Sequence, residues 1–395
     1  MASTSDQSAG REFADAGRRG GELDDGETAS GDPFGNSAGR ETADGVSGHV
    51  GSGSGELDDG EVAGGTPGSD AADGGSGLGA AGAVRVRVPA TSANLGPGFD
   101  AFGLALTRYD ELTVVPGGTG VSVEVTGPGE GEVALDESHL VVRAIRAGLD
   151  ALGASVPGFT LRCENRIPHG RGLGSSSAAI VGGIAAAYGL AGEPLDRERV
   201  VELAHEIEGH PDNVAACALG GFTIAWTDGD TGRTVRLEPL AELSVVAYVP
   251  STRVLTKEAR GLLPSAVPHA DAAANAGRAA LLVAALTSRP SLLMTATEDW
   301  LHQEYRQPAM PESLALVHKL RGSGLAAVVS GAGPTVLVIG EEPERADEAP
   351  DGWRRYELGI DPLGVQVWPA DAELLLAEGG NERSRTRVEH PEAAD

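Results

Sequence analysis

Between Pro168 and Ala178 the chain reads Pro168-His169-Gly170-Arg171-Gly172-Leu173-Gly174-Ser175-Ser176-Ser177-Ala178 and runs on into an Ala-rich stretch. Glycines admit φ > 0 and let main chain crowd a ligand. The first N–H groups of a helix lack intrahelical partners and carry the positive end of its dipole. A loop of this composition opening a helix is a cradle for phosphate. It lacks the lysine of the G-x-x-x-x-G-K-[ST] pattern, so an anion's charge falls to backbone dipoles, hydroxyls and a cation. Three more segments gather polar residues and glycines at close spacing: Asn94-Leu95-Gly96-Pro97-Gly98-Phe99-Asp100, Glu206-Ile207-Glu208-Gly209-His210-Pro211-Asp212-Asn213-Val214, and Ser330-Gly331-Ala332-Gly333-Pro334-Thr335. Taken alone, Ser176 reads as a helix N-cap, Glu206 as a solvated helix face and the Ser330 segment as a tight turn linking strands.

These segments need elements to hold them. Val84-Arg85-Val86-Arg87-Val88 alternates strictly and predicts a strand ended by Pro89. Residues 104–115 and 121–125 predict further strands of antiparallel character, and 159–165 a strand feeding the glycine loop. Helices are predicted over 138–152, with Leu140, Val141, Ala144, Ile145 and Leu149 on one face, over about 176–188 and over about 197–208. A hairpin is predicted from 222–226 and 234–237 around the turn 228–232. The second half predicts strands at 243–249, 325–330 and 335–339 and helices at about 273–287, 291–300 and 313–321.

With 395 residues there is room for two or three domains, but residues 1–83 hold only two aromatics, and their sixteen acidic against four basic residues supply −12 of the net −28. Such a segment cannot bury enough apolar surface to offset its ordering entropy, and the repeat of Gly-Glu-Leu-Asp-Asp-Gly-Glu at 21–27 and 55–61 is too short and polar to found a solenoid. The remaining −16 makes the body acidic too, which disfavours nucleic acid and anionic membranes as partners. Two cysteines, Cys163 and Cys217, are too few for a disulfide framework and fit a reducing, cytoplasmic setting. The longest weakly polar stretch, 178–192, is interrupted by glycine and too short to span a bilayer.

Three segments in this order, Pro89-Ala90-Thr91-Ser92-Ala93-Asn94-Leu95-Gly96-Pro97-Gly98-Phe99-Asp100, the glycine loop and Ser330 to Thr335, resemble the GHMP kinases. The segment from Glu206 to Val214 sits where that family places metal and acceptor residues. The likeness covers roughly residues 84–375. It implies an α+β, two-domain fold with the active site between domains: a ribosomal-protein-like α/β domain over 84–240 and a ferredoxin-like domain over 241–377. A disordered acidic tail at 1–83 and a flexible tail at 378–395 would flank them.

The resemblance further implies ATP and Mg²⁺, with Pro168 through Ala178 on the phosphates and with Ser176 and Glu206 holding the ion. It implies an L-homoserine acceptor on the way to threonine. Asn94 and Asp100 lie toward its amino group, His210 lines the pocket, Arg260 and Arg306 meet its carboxylate, and Gly331 and Gly333 close over it. Guanidinium forks suit a carboxylate as ammonium does not. Asp212 and Asn213 would orient the reacting hydroxyl, with base catalysis by Asp212 a subordinate reading. The alternatives are a mevalonate, shikimate or sugar kinase of the same family, or a non-catalytic paralogue that binds nucleotide or amino acid. Oligomeric state is left open, though kinases of this kind often form a homodimer.

Overall fold

The computed structural model describes residues 82–229 and 231–370. The tail expected at 1–83 lies outside the described residues apart from Gly82 and Ala83, and the one expected at 378–395 lies wholly outside them.

β1 (Ala83–Asn94) pairs antiparallel with β2 (Gly98–Pro116). Val84, Val86 and Val88 are buried while Arg85 and Arg87 face outward, the period of two expected of a half-buried strand. Pro89 does not end it. The pairing shifts register between Pro89 and Ala90, so the residue with no N–H sits at an irregularity where the ladder tolerates it, and the strand continues buried to Asn94. β3 (Val121–Thr126) and β4 (Phe159–Glu164) run parallel, a departure from the antiparallel expectation that the crossover through α1 (Leu140–Ala151) makes possible.

α2 (Ser175–Ala191) follows the glycine loop and is buried along most of its length. Its small residues allow that. A Cβ on Gly183 would stand 2.6 Å from Ala144 Cβ and 2.7 Å from Val141 O, so α1 and α2 touch at backbone distance. α3 (Arg197–Glu208) is followed at once by α4 (Pro211–Leu219), which the sequence reading did not anticipate. Gly209 caps α3 in the left-handed conformation and Pro211 opens α4. The hairpin β5 (Phe222–Asp228) and β6 (Thr231–Leu237) joins the first part of β2.

A second sheet begins with β7 (Ser244–Pro250). After the short α5 (Thr256–Gly261) and α6 (His269–Thr287), the helix expected over 291–300 stops early as a 3₁₀ turn and α7 (Leu293–Ala296). There Thr297 Oγ1 bonds back to Leu293 O (2.8 Å), and the backbone turns around the carboxylate of Asp299. α8 (Pro311–Gly322), β8 (Ala327–Val329), β9 (Val336–Gly340) and β10 (Trp353–Gly359) complete an antiparallel sheet ordered β10-β7-β9-β8. One face of it packs Val246, Tyr248, Val329 and Val338 against Leu314, Val317 and Leu320 of α8. The other sends Val245, Ala247 and Val249 into the core shared with the first sheet.

β11 (Gln366–Ala370) then returns to pair with β1, so the first sheet holds β1 to β6 and a strand from the far end of the chain. Contiguous units at 84–240 and 241–377 miss this exchange. The α+β class stands. Among the described residues no helix is long and apolar enough to cross a membrane.

Candidate active site

Gly170, Gly172 and Gly174 all sit at positive φ, 64°, 75° and 68°. For two of them packing alone demands glycine: a Cβ on Gly172 would lie 2.2 Å from Ser330 O, and one on Gly174 1.9 Å from Thr91 Oγ1. The loop is wedged between β1 and the turn at Ser330, whose hydroxyl donates to Gly172 O (2.5 Å). Arg171 straps it to the end of β7, its guanidinium donating to the carbonyls of His169 (2.8 Å), Pro250 (2.9 Å) and Ser251 (2.7 Å). Leu173 is buried beneath it. Gly174 caps α2 without any side-chain acceptor, so the amides opening this 17-residue helix are left for an anion.

Two cavities meet at Ser175 and Ser176. The larger, about 340 Å³, has walls from Val88, Leu112, Val133, Leu140 and Ala178 with Asp110 and His139 among them. The smaller, about 200 Å³, gathers residues from all four motifs, Asp100, Ser176, Asp212 and Gly331 among them, together with Arg260 and Arg306. Burial and the Coulomb effect of His169 lower the His139 pKa, and burial and Arg253 lower that of His169. Of the loop residues, Ala178 faces only the larger cavity, while Pro168 faces neither and lines a separate cleft with Arg171.

In the smaller cavity Arg260 Nη1 and Nη2 donate to both oxygens of Asp100, at 3.0 and 2.7 Å. The ring of Phe99 has the Arg260 guanidinium 5.7 Å and the Arg306 guanidinium 5.5 Å from its centroid. Arg306 is 1% exposed, and its pKa is lowered to about 10 by burial first and by Arg260 next. Its Nη1 donates to Gly331 O (3.0 Å), while Nε of both arginines is buried without a partner. Asn94, at φ 72°, is a tie between segments: Nδ2 donates to Gly331 O (2.8 Å) and Oδ1 accepts from the Asp100 amide (3.0 Å). Gly333, at φ 83°, has Met310 Sδ 2.5 Å from where a Cβ would go.

Asp212 and Asn213 occupy the first turn of α4, which His210 caps. Gly103 of β2 lets that turn approach, since a Cβ there would be 2.3 Å from Asp212 O. Asp212 Oδ1 accepts the Asn213 amide (2.7 Å), and Asn213 Oδ1 accepts the Thr91 hydroxyl (2.8 Å). Asp212 is 5% exposed; burial pushes its pKa up to about 6, against the pull of the Asn213 amide and with Asp100 adding to the rise. Burial, and then Arg260, lower the pKa of His210.

Glu206 is not brought into the site. It is exposed on α3, and the carboxylate beside the serines is Glu208, accepting from Ser176 Oγ (2.8 Å) and Ser177 Oγ (3.4 Å). Residues two apart on a helix point to nearly opposite sides, so only one of the pair can face α2. A hydroxyl and a carboxylate are hard oxygen donors of the kind Mg²⁺ takes. Among the described residues no group of three or more His, Cys, Asp or Glu side chains could hold a metal, so an ion at this pair would complete its shell from phosphate and water. Thr91, Phe99 and Gly103 were also missed, although Thr91 and Phe99 lie inside a motif already singled out.

Residues 139–221 match the family model of the GHMP kinases N terminal domain, and residues 274–357 that of the GHMP kinases C terminal. A homoserine kinase of Streptomyces avermitilis is 56% identical over 299 residues, 74% of this chain and 98% of the relative. One of Clavibacter michiganensis is 51% identical over 307 residues, 75% and 97% of the two chains. The crystal structure of a homoserine kinase from Cytophaga hutchinsonii is similar with a TM-score of 0.66 and 28% identity, covering 72% of this chain and 97% of that one. A mevalonate kinase at 15% identity and TM-score 0.53, covering 70% and 99%, shares the fold.

Proposed function

We propose that this chain, which belongs to the GHMP kinase family, transfers the γ-phosphoryl group of ATP to the side-chain hydroxyl of L-homoserine, giving O-phospho-L-homoserine and ADP. The observation that carries the reading is the uncapped start of α2 standing between an apolar cavity and a strongly polar one. The nucleotide base goes to the first, the triphosphate to the amides of Ser175 to Ser177, and the acceptor to the second. Mg²⁺, held by Ser176 and Glu208, would offset charge on the phosphate oxygens.

The Asp100–Arg260 pair supports an amino acid as acceptor. A zwitterion can divide such a pair, its carboxylate taking the Arg260 fork and its ammonium the released Asp100 carboxylate, whereas a simple acid that takes the fork leaves Asp100 unmatched and a neutral polyol offers neither charge. Asp212 and Asn213 orient the acceptor hydroxyl. Its oxygen attacks the γ-phosphorus as the bond to the β–γ bridging oxygen breaks, and its proton passes to the Asp212 carboxylate or leaves with the phosphoryl oxygens. Raised to about 6, Asp212 is ionised at neutral pH yet more basic than an ordinary carboxylate. Both cysteines are buried and unpaired, which suits a reducing compartment such as the cytoplasm.

A coupled ADP-release assay with Mg-ATP against L-homoserine, L-serine, mevalonate, shikimate and galactose tests the assignment. Homoserine should exceed every other acceptor by a wide margin in kcat/KM; a different best acceptor would overturn it.

A further inference from the structure

We propose that His302 is a positioning residue for the acceptor's carboxylate, acting through Arg306; the inference rests on the reading that Arg306 meets that carboxylate. His302 is wholly buried, on the turn that follows α7. An arginine only donates, so the 3.0 Å contact between Arg306 Nη1 and His302 Nδ1 makes Nδ1 the acceptor. The ring proton then sits on Nε2, which donates to Gly96 O at 2.7 Å. Both ring nitrogens are thereby bonded, one to the arginine and one to the Asn94–Asp100 segment.

The consequence for Arg306 is geometric. Nη1 is held by two acceptors, His302 Nδ1 and Gly331 O, while no hydrogen bond is made by Nε or Nη2. Those two nitrogens form the side-on fork that matches a carboxylate. With Nη1 fixed, the guanidinium cannot turn about its stem, and the Nε–Nη2 edge keeps one direction. His302 also stacks on Phe99 at 5.1 Å, the ring that touches both guanidinium groups. The imidazole is in turn held by its own backbone: the Asp299 carboxylate, 1% exposed, accepts the amides of Leu301 (3.0 Å), His302 (3.1 Å) and Gln303 (2.7 Å). An apolar side chain would fill this space but strip Gly96 O of this donor and Arg306 Nη1 of one acceptor, so the histidine does more than pack.

The test uses the full chain with His302→Leu, His302→Gln and His302→Asn, measuring kcat/KM for L-homoserine and for 3-aminopropan-1-ol, which is homoserine without its carboxylate. A side chain that only fills space affects the two acceptors alike. On the present account His302→Leu and His302→Asn raise the KM for homoserine and shrink the preference over aminopropanol by roughly tenfold or more, the size of a charged hydrogen bond, while the KM for ATP stays put. Glutamine offers Oε1 to Arg306 and an Nε2–H to Gly96 O from one amide, and restores the preference; asparagine is too short to reach both. An unchanged preference in His302→Asn would overturn the proposal, even if His302→Leu fails to fold. If the wild-type chain does not phosphorylate homoserine at all, the acceptor reading is what has failed. The clamp is then read from hydrogen exchange at the Gly331 amide, which donates to Ala93 O beside the bond Arg306 makes: faster exchange in His302→Asn supports it, and unchanged exchange refutes it.

Discussion

Burial gives the Asp212 carboxylate two measurable properties. Its folded pKa of about 6 lies above the ordinary 3.8, so the folded state holds the proton more tightly. The stability tied to this proton is therefore fully present below about pH 4 and is lost as pH rises through 6, after which the cost is constant. Asp212→Asn should raise thermal stability at pH 7.5 by roughly 2–3 kcal/mol in equilibrium unfolding. If Asp212 takes the proton, kcat in the same protein should fall by orders of magnitude and lose the decline below about pH 6 that this role predicts for wild type; a kcat near wild type would rule out proton transfer to this group. The metal position offers a second contrast. Glu208→Gln should raise the Mg²⁺ concentration needed for half-maximal rate at least about tenfold, and Glu206→Gln should leave it unchanged. The motif Glu206 to Val214 was legible in the sequence as chemistry-bearing, but which of its two glutamates faces the serines depends on the helical phase of α3 against α2, which no local pattern encodes.

The glycine loop and α2 are the element whose shape the sequence announced most plainly, because alternating glycines before a run of small residues suit little besides a left-handed loop feeding a close-packed helix. The reason for each glycine was less visible: Gly172 and Gly174 make room for Ser330 and Thr91 rather than for a ligand. Gly174→Ala would put a Cβ into the Thr91 hydroxyl and force an L side chain to φ 68°. It should cost about 2–4 kcal/mol in chemical denaturation and raise the KM for ATP more than that for homoserine, since the loop carries the amides. A variant as stable as wild type would show that the loop is free to shift. α4 escaped the sequence reading because nine residues of mostly Ala, Val and Cys buried on several sides leave no amphipathic stripe. β1 was cut short because proline normally ends a strand, and only the partner strand reveals the register shift that accommodates it.

At the scale of the molecule, the α+β class and the order of the motifs were readable, whereas the return of β11 to β1 was not, since five residues of edge strand carry almost no periodicity. That strand covers the β1 edge, and Val365 just before it is fully buried. A chain ended after Gly364 should lose at least about 3 kcal/mol and tend to self-associate through the bared edge, visible as a lower melting temperature and a larger hydrodynamic radius. The site itself is a whole-molecule product. The glycine loop and α4 pack on the first sheet, Arg260, Arg306 and the Ser330 turn belong to the second, and the triphosphate is held to lie between them. A crystal structure of the full chain with a non-hydrolysable ATP analogue, Mg²⁺ and L-homoserine tests this most directly. The account predicts β- and γ-phosphate oxygens at hydrogen-bond distance from the Ser175 to Ser177 amides, with the homoserine hydroxyl between Asp212 and the γ-phosphorus. Nucleotide bound away from the start of α2, or homoserine outside the Arg260–Arg306 cavity, would contradict it.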